Sequence, residues 1–173
     1  MEQLHRLAAL LKERNRLDGD IARAIGRPAL PGHIGEFIAS VLFDIELMPS
    51  ATARFRSGPL MGRSVNVKLY GKREGLLDIA AVRPDYYLVL TGPRTAAASS
   101  RNQTRPIVID SVFLFERDAL LAELTKTGVK VGVATSVRSA AWENSRVWPP
   151  PGSPLLPITD EQAGALAALS SPT

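Results

Sequence analysis

Few residues in this chain have the type and setting for chemistry, and Lys68 is the foremost. It lies in "RSVNVKLYG" at residues 63–71. The stretch alternates as a strand does: Val65, Val67 and Leu69 take one face, and Ser64, Asn66, Lys68 and Tyr70 take the other. Lys68 therefore shares a face with Asn66 and not with the valines. It is the one lysine of a strand otherwise rich in apolar residues, a place where an ammonium calls for a reason. It also suits the solvated face of an antiparallel strand, where exposed lysine is the norm. Upstream, "GHIGEFIASVLFDIEL" carries His33 and Glu36 three residues apart, within reach on one helix face. Two ligands without a third make a weak metal site, and both residues equally suit a plain helix surface. Arg54, Arg56, Arg63, Lys72 and Arg73 flank the Lys68 strand, where they suit tracking a phosphate backbone or forming an ordinary charged rim. Tyr86, Tyr87, Trp142 and Trp148 fit core and interface positions better than base-stacking platforms.

The elements that must position these residues follow from periodicity. Residues 2–14 predict a helix with Leu4, Leu7, Ala8 and Leu11 on one face. Ile21, Ala22 and Ile25 resume that spacing beyond Gly19, so the segment is one long helix or two, closed by Gly26 and Pro28. Residues 33–47 predict the strongest helix, with Ile34, Phe37, Ile38, Val41 and Leu42 as its apolar stripe and Glu36 well off it. Ala39 and Phe43 lie away from that stripe, which points to cover on more than one side. "ARFRSGPLMGRSVNVKLYGKREG" reads as a β-hairpin turning near Gly58, Pro59 and Gly62. "DYYLVLTGP" reads as a central strand, because its apolar residues run together. "TGPRTAAASSRNQTRP" reads as an exposed, mobile loop. "IVIDSVFLF" predicts another strand, Asp118 to Thr127 a helix ended by Gly128, and "VKVGVATS" a further strand, with Ser136 capping a short helix through Ala140 and Trp142. "PPPGSPLLP" suits neither a helix nor a central strand and reads as a surface tail, while "TDEQAGALAAL" has cap and acidic first-turn signals for a last helix. No internal repeat or heptad seam stands out. This order gives an N-terminal helical segment (1–27), an α/β domain with a mixed sheet (28–148) and a Pro-rich C-terminal tail with a short helix (149–173).

Composition narrows the function classes. The 173 residues include no Cys, which excludes disulfides, thiolate zinc sites and cysteine nucleophiles. The formal net charge of +4 is compatible with a polyanionic partner, and equally with a mildly basic soluble protein. The N-terminus is interrupted by Glu, His and Arg, unlike a signal peptide, and no apolar run approaches the roughly 18 residues that cross a bilayer. The expectation is a soluble, cytoplasmic protein. Neither a dinucleotide fingerprint nor a phosphate-binding P-loop is present. Residues 20–39 also invite a helix-turn-helix reading, but the prolines in the turn and the glycines of the second helix argue against it.

The order of parts, a helix with Gly35-Glu36, a hairpin whose second arm holds Asn66-Val67-Lys68, then "PDYYLVLTGP", resembles the PD-(D/E)XK or restriction-endonuclease-like superfamily. More narrowly it is similar to an uncharacterised bacterial domain family within it, over roughly residues 30–140. The resemblance implies a mixed central sheet flanked by helices and a DNA-cutting site dependent on Mg²⁺. Lys68 matches the lysine beside the attacking water and scissile phosphate, Asn66 occupies the usual acidic position, and Glu36 matches the helix carboxylate that binds metal. The Asp of the first hairpin arm has no counterpart, since "SATARFRSG" holds no carboxylate; Asp44, Glu46, Glu74 and Asp78 are the acids that a rearranged site would draw on. Two expectations follow: a degenerate metal-dependent DNA phosphodiesterase, or an inactive nuclease-fold module that binds nucleic acid or protein, as a homo-oligomer or with an operon-encoded partner.

Overall fold

The computed structural model describes residues 1–48, 53–79, 83–94 and 106–170. Its first element is one continuous helix, α1 (Glu2–Ile25), closed by Gly26 in the left-handed conformation at φ 67°. Gly19 does not break it. An ion-pair chain along one side, from Glu13 through Arg16 and Asp20 to Arg23, supports the helix locally across that position. No residue of α1 is buried.

A second helix, α2 (Pro31–Phe43), begins on Pro31, whose fixed φ suits a first turn, and stops at Asp44 with φ 49°. It is shorter than its pattern predicts. "IEL" leaves the helix as an edge strand, β1 (Ile45–Leu47), paired antiparallel with β2 (Ala53–Phe55). The buried face also differs from the expected stripe. It consists of Gly35, Ala39, Leu42 and Phe43, while Val41 is 67% exposed. The reason is close approach: a Cβ on Gly35 would lie 2.7 Å from the Cβ of Leu69 on the neighbouring strand. Two small residues of the helix, Gly35 and Ala39, face the sheet and let the backbones meet.

Strand β2 pairs antiparallel with β3 (Ser64–Tyr70), as the hairpin pattern predicts. β3 then runs parallel to β5 (Tyr86–Thr91), the central strand, in which every residue is buried. Antiparallel β6 (Ser111–Glu116) and β8 (Arg146–Trp148) complete a six-stranded mixed sheet in the order β1-β2-β3-β5-β6-β8. Between β3 and β5, the short β4 (Leu76–Leu77) pairs with β7 (Thr135–Ser136) in a separate two-stranded ribbon. "VKVGVATS" thus yields only two strand residues, and residues 129–134 run outside any strand. The helix α3 (Arg117–Lys126) is followed by Gly128 at φ 67°, as its sequence signals require. Helix α4 (Ser139–Asn144) starts later than Ser136 allows, with Arg138 at its N-cap and no side-chain cap. Of the loop predicted over residues 91–106, Thr91 ends β5 and residues 95–105 lie outside the described residues.

Strand alternation sorts the core into two clusters, one on each face of the sheet. Val65, Leu88, Leu90, Val112, Leu114 and Val147 pack with Ala39, Leu42 and Phe43 of α2. Tyr87, Val89, Phe113 and Phe115 pack with Leu120, Leu124 and Trp142 of α3 and α4. The last helix, α5 (Asp160–Leu169), opens on a capping box in which Thr159 and Gln162 satisfy each other's backbone amides. It does more than cover the surface. Leu166 is fully buried in the α2-side cluster, the Gln162 side-chain amide donates to the Leu42 carbonyl, and the Ile109 amide donates to the Leu169 carbonyl at 2.8 Å.

Candidate functional site

Strand β3 presents its polar row, Ser64, Asn66, Lys68 and Tyr70, on the face opposite α2. The register fixes this. Asn66 lies beside Tyr87 and Lys68 beside Val89, both members of the α3/α4-side cluster, whereas Val67 and Leu69 pair with Leu88 and Leu90 on the α2 side. Asn66 and Lys68 are each half-buried on that face.

A carboxylate anchors each end of the row. At the start, Asp85 accepts from the Ser64 amide at 2.8 Å and the Ser64 hydroxyl at 2.7 Å, and the Ser64 hydroxyl accepts in turn from the Asp85 amide at 2.9 Å. These bonds, with the Arg63 and Arg117 guanidinium groups adding to them, hold the Asp85 carboxyl below its ordinary range against a small opposing effect of burial. At the far end, the Asp78 amide donates to the Tyr70 hydroxyl at 2.9 Å. Burial, joined by the nearby Asp78 carboxylate, pushes the Tyr70 hydroxyl up to about 12. The Asp78 carboxylate itself accepts from the Ala134 amide at 2.7 Å. Sequence reasoning placed Tyr70 in this row and named Asp78 among the spare acids, but it did not single out Asp85. The signal was present, because a Ser-Asp pair can close on itself where two parallel strands begin, but only the β3–β5 register shows that Ser64 and Asp85 meet.

The third residue of the expected triad stands elsewhere. Glu36 lies on α2, which covers the opposite face of the sheet, and its carboxylate is ion-paired with Arg27 in the connection that follows α1. The structure therefore brings Asn66 and Lys68 together and leaves Glu36 across the sheet from them. His33 is turned toward the same connection, its Nδ1 3.0 Å from the Pro28 carbonyl oxygen.

Mg²⁺ is a hard cation that takes oxygen ligands, carboxylates foremost. Asn66 offers one neutral carbonyl and Lys68 offers none. Asp85 and Asp78 sit at opposite ends of the row, whose backbone spans about 20 Å over six strand steps. Each is already engaged by backbone amides. This donor set does not suit Mg²⁺.

The basic residues around the hairpin divide in two. Arg54 is exposed on β2; Arg56 and Arg63, each more than half exposed, pair with Asp44 and Asp85 at 2.7 Å and 3.4 Å. These three can still meet a polyanion, because exposed ion pairs exchange partners cheaply. Lys72 and Arg73 are different. The Lys72 side chain is 8% exposed and lies 2.6 Å from the Glu74 carboxylate, beside a cavity of about 270 Å³ lined by Pro31, Leu69 and Ile107. Arg73 packs its guanidinium over the Phe113 ring at 5.0 Å and the Trp142 ring at 6.0 Å, with Glu143 at 3.3 Å. Its charge closes the end of the α3/α4-side core. Among the described residues, no helix is long and apolar enough to cross a membrane.

No protein-family model matches this chain, and no curated protein matches it.

Proposed function

We propose that this chain is a restriction-endonuclease-like module that binds nucleic acid without cutting it. The observation that carries the reading is the separation of the expected triad: Asn66 and Lys68 share one face of β3, and Glu36 is ion-paired with Arg27 on the helix over the other. A site that cleaves phosphodiesters with a metal needs carboxylates converging beside the lysine. An amide and an ammonium alone can hold a phosphate without activating a water. Support for a nucleic-acid target comes from the net charge of +4 and from the exposed arginines Arg54, Arg56 and Arg63 around the hairpin.

The test is an incubation of the purified protein and its Lys68→Ala variant with DNA, with Mg²⁺ or Mn²⁺ present, beside a binding titration at rising salt. The expected result is binding that weakens as salt rises, no cleavage by either protein, and weaker binding for an Arg54→Ala/Arg63→Ala variant. Cleavage by the wild type that Lys68→Ala abolishes overturns the reading in favour of a phosphodiesterase. That second reading has one observation in its favour, the placement of Asp78 beside Tyr70 on the Lys68 face, and Asp78→Asn must then abolish cleavage too. Absence of affinity for DNA at low salt removes the nucleic-acid target and leaves a protein-binding module.

A further inference from the structure

We infer that α1 pairs antiparallel with α1 of a second copy of this chain. The observation that opens the question is a 24-residue helix with no buried residue and a leucine-rich side. Leu4, Leu7, Leu10, Leu11 and Leu17 are between 46% and 61% exposed, and Ile21 is 38% exposed. Such a face is costly to leave in water and marks an interaction surface when it is contiguous.

The face has an internal order that names its occupant. Leu4, Leu7, Leu11, Arg14, Asp18, Ile21 and Ile25 follow one another at alternating steps of three and four, the spacing of a coiled-coil seam. Leu10 and Leu17 flank it on one side, and Ala8 and Ala22 on the other. The middle of the seam holds two opposite charges, Arg14 and Asp18, which lie 3.5 Å apart within one chain. This charged layer breaks the apolar pattern that would otherwise announce a heptad seam. It also selects the geometry. In a parallel pair the two Arg14 side chains would share a layer, as would the two Asp18 side chains, and like charges repel. In an antiparallel pair with its two-fold axis beside residue 16, Arg14 faces Asp18 of the other copy on both sides of the axis. The same register sets Leu7 against Ile25 and Leu11 against Ile21, and brings the two copies of Leu17 together at the axis. Every seam residue from Leu7 to Ile25 finds a complementary partner from one operation, as a two-fold interface requires. Glu13, Arg16, Asp20 and Arg23 pair along the opposite side of the helix and stay in water. The contact is independent of the nucleic-acid reading, because it uses no residue of β3 or the hairpin.

The mass of the full chain in solution, by light scattering or sedimentation equilibrium across a concentration series, tests it. The expected wild type is a dimer that Leu11→Glu converts to monomer. Arg14→Asp and Asp18→Arg are each expected to be monomeric, and the double swap is expected to restore the dimer. These variants leave the domain folded by circular dichroism and thermal melting, because none of the altered residues is buried. The chain has no Cys, so single cysteines introduced for spin labels report cleanly. Labels at Asn15→Cys are expected close together across the axis, and labels at Gln3→Cys about 40 Å apart, from a rise of 1.5 Å per residue over 13 residues on each side. A monomer at all concentrations, a dimer unaffected by Leu11→Glu, or Gln3 labels in near contact overturns the inference.

Discussion

At the scale of single residues, the best-determined feature beside the candidate site is the Ser64–Asp85 knot. Three hydrogen bonds tie the start of β3 to the residue before β5. The two that the carboxylate accepts favour its ionised form, so the Asp85 carboxyl is depressed in the folded chain relative to the unfolded one. The sign of the linkage follows. The stabilisation is fully present above the unfolded carboxylate value of about 4 and is lost as pH falls through the lower folded value. An Asp85→Asn variant is expected to melt below the wild type between pH 5 and 7, and the gap is expected to close as the pH is lowered below about 4. A gap independent of pH would show that the carboxylate's charge has no part in the knot. The role of Lys68 rests on the face it shares with Asn66.

At the scale of elements, the packing of α2 on β3 decides where the expected site residues go. Gly35 and Ala39 bring the helix down on Leu69, and this contact assigns α2, and Glu36 with it, to the Val65-Val67-Leu69 side. A Gly35→Ala change puts a Cβ 2.7 Å from the Leu69 Cβ. The expected cost is about 1–3 kcal/mol, the range for overpacking a well-filled core. Truncating the neighbour with Leu69→Ala is expected to give no rescue, since the clashing atom is the Cβ that alanine keeps. Chemical denaturation of the two single variants and the double variant measures this, and a stable Gly35→Ala protein would mean that the helix can slide. The sequence pointed to a different stripe because Ile34, Phe37 and Val41 are more hydrophobic than Gly35 and Ala39. Hydrophobicity alone does not reveal where a helix must come closest to a strand.

At the scale of the whole molecule, the C-terminal residues belong to the core that the rest of the chain builds. Leu166 is fully buried and Leu156 nearly so, in the same cluster as Leu42, Leu90 and Val147. Leu166→Ala is expected to cost about 2–5 kcal/mol, the range for a large-to-small change at a buried leucine. Unfolding is expected to stay cooperative, which a single transition by two spectroscopic probes would verify; a loss within ±0.5 kcal/mol would instead be the signature of a surface site. The contrast with α1 is instructive. Both helices flank the sheet domain in sequence, but α5 sinks an apolar side chain into it, and α1 buries none of its residues against it.

Local sequence pattern was enough for a helical first segment, though not for its continuity across Gly19, and for the β2–β3 hairpin and its alternation, the buried central strand and the capped last helix. Each depends on local rules: helical spacing, period two, a continuous apolar run, and a capping box whose partners are three residues apart. It also determined that Lys68 and Asn66 share a face, because that needs only the strand's own pleat. The rest came from contacts made in three dimensions. Which face of β3 receives α2, the meeting of Ser64 with Asp85, and the burial of Lys72 and Arg73 all join residues distant along the chain. A sheet has two equivalent-looking sides until a helix chooses one. Here the choice was made by the close approach of Gly35 to Leu69, and it set Glu36 apart from Lys68.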